Sequence, residues 1–273
     1  MKFGNAAWGF RETPLKEQLK ITKEMGLAVL ELGIANAPND VPLDISKESL
    51  EEIKNLYAEY GVELLCAATG NDFTNGNKSD VEKIKRVIDI CNELGVKILR
   101  IFAGFSHGEE VVGRRWTTMI ECLTECARYA KGQGVTLTIE THGGVDCFDD
   151  GVLHFHSTTT IPEMLQKIVE TVPENVMLNF DPANLNAVGV TDVVGVYEKL
   201  KKRIAAIHLK DFAVLPSGHL RPAACGDGTI DWAKLIKALE GFDGPLMFEY
   251  ENVEDVKEGL TRCMDYIYQC IKN

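Results

Sequence analysis

Four ionisable residues close four short apolar runs in the second half of the chain: Glu140 in GVTLTIETH, Asp181 in VMLNFDP, His208 in IAAIHLKD and Glu249 in PLMFEYE. An apolar run delivers its last residue to dehydrated surroundings, where a carboxylate rarely rests unless it is paired or bound to a cation. Three carboxylates brought together repel one another, and a divalent cation removes that repulsion. One imidazole with three carboxylates and no thiolate suits one divalent metal, Mn2+ by expectation, with Mg2+, Co2+ or Zn2+ as alternatives. Taken singly, each residue also has a plainer role. Glu140 or Glu249 can be an ion-pair partner or a helix cap, Asp181 before Pro182 an Asx-turn residue, and His208 a core histidine. Their common placement favours one shared site.

That site requires a frame that brings four separate runs together. One grammar repeats along the chain: a helical pattern, a glycine, then a short apolar run. Thr13-Pro14 reads as N-cap and first residue of a helix with Leu15, Leu19, Thr22 and Met25 on one side, ended by Gly26 before LAVLELG. Ser46 starts a helix carrying Leu50, Ile53, Leu56 and Tyr60, ended by Gly61 before VELLCAATG. Ser79 with Glu82 fits a capping box, and Gly95 precedes VKILRIFAG. A longer helix over 112–132 leads to Gly134 and the Glu140 run, and a last helix is expected over 254–271. With KFGNAAW at the start, eight strand candidates alternate with helices. Eight parallel βα units in 273 residues predict an α/β fold, a (β/α)8 barrel, as one domain over 1–273. No GxGxxG follows the first strand and no GxxxxGK[ST] occurs, which disfavours a nucleotide-binding open sheet.

In such barrels the active residues stand at the C-terminal ends of the strands. In chain order those ends offer Trp8, Glu31, Arg100, Glu140 with His142, Asp181, His208 with Lys210, and Glu249 with Glu251. Two segments after strands four and five, 103–116 and 143–160, read as pocket-building loops. They hold His107, Trp116, His154 and His156, and an aromatic there could stack on a substrate ring.

Composition limits the partners. The net charge is −12 with no basic cluster, which argues against nucleic acid and anionic membranes. No apolar run approaches membrane-spanning length, and the N-terminus lacks a signal-peptide core, so a cytoplasmic location is expected. Eight cysteines without a CxxC pair read as small reduced hydrophobes. A homo-oligomer is plausible, with no interface legible.

The runs GVTLTIETH, LNFDPANL, IAAIHLKDF, GDGTIDW and GPLMFEYE resemble, in this order, the xylose-isomerase-like TIM barrels. These are sugar isomerases and epimerases related to the apurinic-site endonucleases. The resemblance implies that Glu140, Asp181, His208 and Glu249 are the metal ligands. The endonuclease branch, with three zinc ions, has a histidine where Asn184 stands and an Asp-x-His where Leu220, Arg221 and Pro222 stand. Its early-strand histidines are also missing, so a trinuclear site and DNA repair are disfavoured.

A metal beside a carbonyl and a neighbouring hydroxyl stabilises an enediolate, and a base within reach removes the proton. Glu140 and Glu249 are the expected catalytic pair, one on each side of the substrate. Return of the proton to the opposite face gives epimerisation, return to the neighbouring carbon gives isomerisation, and loss of a β-hydroxyl gives dehydration. His142, Arg100, Asn184, Arg221, Trp8 and Lys210 are expected to contact the substrate, Arg221 because it matches a substrate-contacting arginine of the resembling epimerases. Asp211 is expected to orient His208 or Arg221. The substrate is expected to be a free sugar or cyclitol. A dehydratase or lyase on a keto-sugar or inosose is the alternative reaction, and a non-catalytic sugar-binding subunit the alternative of another class.

Overall fold

A computed structural model describes residues 1–272. The chain opens with β1 (Lys2–Asn5), β2 (Val29–Leu30), β3 (Leu32–Gly33), β4 (Cys66–Ala68), β5 (Ile98–Ile101) and β6 (Thr136–Glu140). A hairpin of β7 (Gly144–Phe148) and β8 (Gly151–Phe155) follows, then β9 (Val176–Phe180) and β10 (Ile204–Leu209). A second hairpin, β11 (Asp211–Val214) and β12 (Leu220–Ala223), precedes β13 (Pro245–Phe248).

Nine of these strands form one parallel sheet in the order β2-β1-β13-β10-β9-β6-β5-β4-β3. Its two edge strands, β2 and β3, are separated in the chain only by Glu31, so the sheet closes on itself. The two short pieces together are the second strand of the expected eight, and the fold is a (β/α)8 barrel. The strands are buried along nearly their whole length, as a parallel sheet covered by helices requires. One large apolar cluster, including Leu99, Ile139, Leu178, Ile207 and Phe248, fills the space between sheet and helices.

The helix ends follow the local signals in most places. Gly61, Gly95 and Gly134 end their helices at φ 66°, 79° and 69°, a left-handed conformation that is cheap only for glycine. Ser46 caps its helix by accepting from the Ser49 amide. Two starts differ from expectation. The first helix begins at Leu15 with Pro14, not Thr13, at the cap. The Ser79–Glu82 capping box does not form, because the Asn77 side chain accepts from both the amide and the hydroxyl of Ser79.

The larger difference is a second sheet. The segment 143–160, expected to be a loop, contains the β7–β8 hairpin. It joins β11 and β12 in an antiparallel sheet of order β11-β12-β8-β7. These strands follow barrel strands β6 and β10, so the sheet stands over the C-terminal mouth of the barrel. None of the helices among the described residues is long and apolar enough to cross a membrane.

Candidate metal centre and cavity

Strands β13, β10, β9 and β6 are consecutive neighbours in the ring, and each contributes one residue to a single cluster. Glu140 ends β6, Asp181 follows β9, His208 lies near the end of β10 and Glu249 follows β13. One potential ligand atom from each lies within 4.8 Å of every other. His208 Nδ1 stands 3.3 Å from Glu249 Oε2, 3.6 Å from Glu140 Oε1 and 3.7 Å from Asp181 Oδ2. All four residues are buried, and neither ring nitrogen of His208 has a hydrogen-bond partner. Buried polar atoms without partners are uncommon in folded proteins. A cation among three carboxylates would give this imidazole its missing partner, so the donor set fits one divalent metal ion.

The cluster has its own support. Asp181 Oδ1 accepts from the amides of Ala183 and Asn184 at 2.8 and 3.0 Å, capping the helix Pro182–Ala187. The Asn184 side-chain amide then donates to Asp181 Oδ2 at 3.0 Å and to Glu140 Oε1 at 3.1 Å. Asn184 is wholly buried and does not reach the cavity. It braces two carboxylates from outside the cavity lining, whereas the sequence predicts a substrate contact. Partners of this kind fix the orientation of metal-binding groups.

Two buried cations balance the acids. Arg100 Nε lies 3.3 Å from Glu140 Oε2, and Lys210 Nζ lies 2.6 Å from Glu251 Oε1 and 3.1 Å from Glu249 Oε2. Burial alone would raise the Glu140 carboxyl, but Arg100 and His208 outweigh it and hold it down at about 2. For Glu249 burial is likewise outweighed, by His208 and Lys210, and the carboxyl stays well below its usual range. Glu31, behind them, is raised by burial and accepts from the Ala7 amide at 3.0 Å. Arg100 thus sits against Glu140, nearer than to the Glu31 carboxylate.

A cavity of about 480 Å³ opens above the cluster. Its charged end is made by Glu140, Glu249, Arg100, Lys210 and Glu251, with His142 beside them. Asp181 and His208 lie behind this floor and do not line it. Trp8 lines the side, with the Arg11 guanidinium 5.1 Å from its ring centre. Phe102 and Phe105 also line it and pack edge-on against the His142 ring.

Some expected residues fall elsewhere. Arg221 is exposed and outside the cavity, because Pro222 is its strand neighbour and faces in. Asp211 accepts from the amides of Phe212, Gly226 and Thr229 and from Trp232 Nε1, so it pins the GDGTIDW turn and orients neither His208 nor Arg221. Trp116 lies in the helix Arg114–Gln133 under the Lys167 ammonium, away from the cavity. His107 stacks on Phe155, and His156 lies near the Thr160 hydroxyl. His154 does line the cavity.

No curated protein matches the chain by sequence. Among solved structures, the probable 3-DHS dehydratase AsbF of Bacillus anthracis superposes with a TM-score of 0.78 at 15% identity, covering 98% of this chain and 99% of that one. The D-allulose 3-epimerase of Methylomonas sp. gives 0.74 at 14% identity, covering 99% and 98%. The IolI protein, solved with a zinc atom, gives 0.76 at 20% identity, covering 100% and 98%. At these identities the likeness speaks for the fold. The family model described as xylose isomerase-like TIM barrel matches residues 19–270, and the chain belongs to that family.

Proposed function

We propose that this protein is a divalent-metal-dependent sugar isomerase or epimerase that moves a proton next to a carbonyl through an enediolate. One observation carries the reading: of the four clustered residues, only Glu140 and Glu249 also line the cavity. Glu140, Asp181, His208 and Glu249 would hold the ion, with Mn2+ the proposed metal and Zn2+ a close alternative. When bound, the ion supplies Lewis-acid polarisation of the carbonyl and offsets the negative charge that develops beside it.

The chain supplies the proton chemistry. Glu140 and Glu249 come from opposite ends of the β6-β9-β10-β13 arc, so they approach a bound sugar from two sides. Arg100 and Lys210 keep the two carboxylates ionised, the form that accepts a proton. One carboxylate takes the proton from carbon; the other first takes up a proton from solvent and then delivers it to the opposite face, which inverts that centre. His142 and Trp8 are placed to bind sugar hydroxyls and a ring face. Lys210 favours a second reading. As a buried ammonium donor in the cavity it can assist departure of a β-hydroxyl, which would make the enzyme a dehydratase or lyase.

Proton NMR in D2O, with metal-loaded protein and a panel of ketoses, keto-glycosides and inososes, tests the reading. Loss of one carbon-bound proton signal without an unsaturated product is expected, and Glu140→Gln should abolish it. Unsaturated products would favour the lyase. Exchange that persists in Glu140→Gln would remove Glu140 from the mechanism.

A further inference from the structure

The antiparallel sheet turns one face to the cavity, and its register fixes which residues that face carries. Val145 pairs with His154, Cys147 with Val152 and Phe212 with Pro222, and all six line the cavity. Alternation along the strands sends Asp146, Leu153 and Arg221 to the other side. Five of the six inward residues are apolar. The cavity therefore has two chemistries: a charged end over the cluster and an apolar roof.

A free sugar suits only one of them. Hydroxyls surround its ring, and those turned to the roof would lose water without gaining partners. Size points the same way. At ~30 Å³ per water, 480 Å³ holds about sixteen waters, more than the twelve or so bonded heavy atoms of a hexose displace. The roof also holds one isolated polar group. His154 Nδ1 is buried with no hydrogen-bond partner, and its ring packs 5.0 Å from the Phe212 ring. Burial, with Lys210 and His142 adding to it, pushes this imidazole down to about 3, so it is neutral and offers a donor or an acceptor without a charge.

We infer that the roof is a binding site for an aromatic aglycone, and that the substrate is a glycoside of a keto-sugar, with one polar substituent of the aglycone meeting His154. This rests on the keto-sugar reading of the charged end. Phenyl glucoside and methyl glucoside lack the carbonyl, so their binding to metal-loaded protein isolates the roof. Calorimetry should give about tenfold or more tighter binding of the phenyl compound. Val152→Asp and, separately, Cys147→Asp should bring the ratio toward one, while Leu153→Asn on the outer face should leave it intact. Circular dichroism identifies any variant that fails to fold, and Cys147, being exposed, gives the safer substitution. Equal binding of the two glucosides, or a preference that survives both Asp variants, overturns the inference. Deuterium exchange into phenyl keto-glucoside and free keto-glucose tests the chemistry separately. A binding preference without exchange into either keto-sugar would support the aglycone site and overturn the proton-transfer reading.

Discussion

The floor and the roof of the cavity are built on opposite principles. The floor crowds Glu140, Glu249, Arg100 and Lys210, with Asp181 and His208 directly behind them, into a dehydrated space at the ends of parallel strands. The carboxylates there are held by neighbours: Asn184 braces Glu140 and Asp181, Arg100 faces Glu140, and Lys210 bridges Glu249 and Glu251. The roof is a small antiparallel sheet whose β7–β8 hairpin is largely solvent-exposed, with Phe148 and Leu153 about half-exposed on its outer side. Buried charge is costly to rearrange, whereas an exposed apolar hairpin is not. On the function and the aglycone site proposed above, the difference separates the labour: the floor would determine which bond is made or broken, and the roof what enters.

Substitutions should reveal this asymmetry. The largest effect is expected from Glu249→Gln, with kcat lowered by about 10²–10⁴ and no loss of fold, read by solvent exchange and circular dichroism. Retained activity would break the division between the two regions. Removing the cation with a chelator should lower the melting temperature by about 2–4 °C per kcal/mol of binding linkage lost, about 2.7 kcal/mol at a hundredfold excess over Kd. The three carboxylates are then offset only by neighbouring side chains such as Arg100 and Lys210. Asn184→Ala should weaken metal affinity about 10–100-fold by calorimetry, since it frees two carboxylates from their brace. An unchanged affinity would make Asn184 a helix residue only.

The roof gives smaller effects. His154 has a folded value of about 3 against an ordinary 6.5, so below 6.5 the unfolded chain binds a proton that the folded chain refuses. Its contribution is therefore complete above pH 6.5 and is lost as pH falls toward 3, on the order of 1 kcal/mol per pH unit at most. The difference in melting temperature between pH 7 and pH 4 should be smaller in His154→Phe than in the wild type. An equal difference would mean the imidazole is hydrated in solution. Leu153→Asn should change stability by about 0.5 kcal/mol or less in urea titration.

The barrel and its cluster were legible because both rest on short-range signals. An apolar run ended by a charge is visible in one window, and helix-ending glycines such as Gly61 and Gly95 mark the repeat. The roof was harder to read. The residues around Asp149-Asp150 alternate between inward Val145, Cys147, Val152 and His154 and outward neighbours, flanking a two-residue hairpin turn. Against an eight-unit repeat that pattern reads as a loop, because its pairing with β12 lies 68 residues downstream, Val152 to Leu220, and no local rule reports it. Arg221 follows from the same gap: which face a strand residue takes depends on register. Asn184 carried a local sign, since Asp181 and Asn184 have the spacing of a helix cap and its third residue. That spacing locates Asn184 beside Asp181, while its reach to Glu140 depends on how β6 and β9 pair.

The β7–β8 turn has an evolutionary consequence. Side chains on a strand swap faces with each one-residue slip. A single insertion or deletion near Asp149 could replace Cys147 and Val145 with Asp146 and Gly144 above the cavity. Neither change would touch Glu140, Asp181, His208 or Glu249, which are held by the barrel's parallel register. If the roof selects the substrate as inferred, a lineage carrying this scaffold could alter its diet by one codon while leaving the four clustered residues in place.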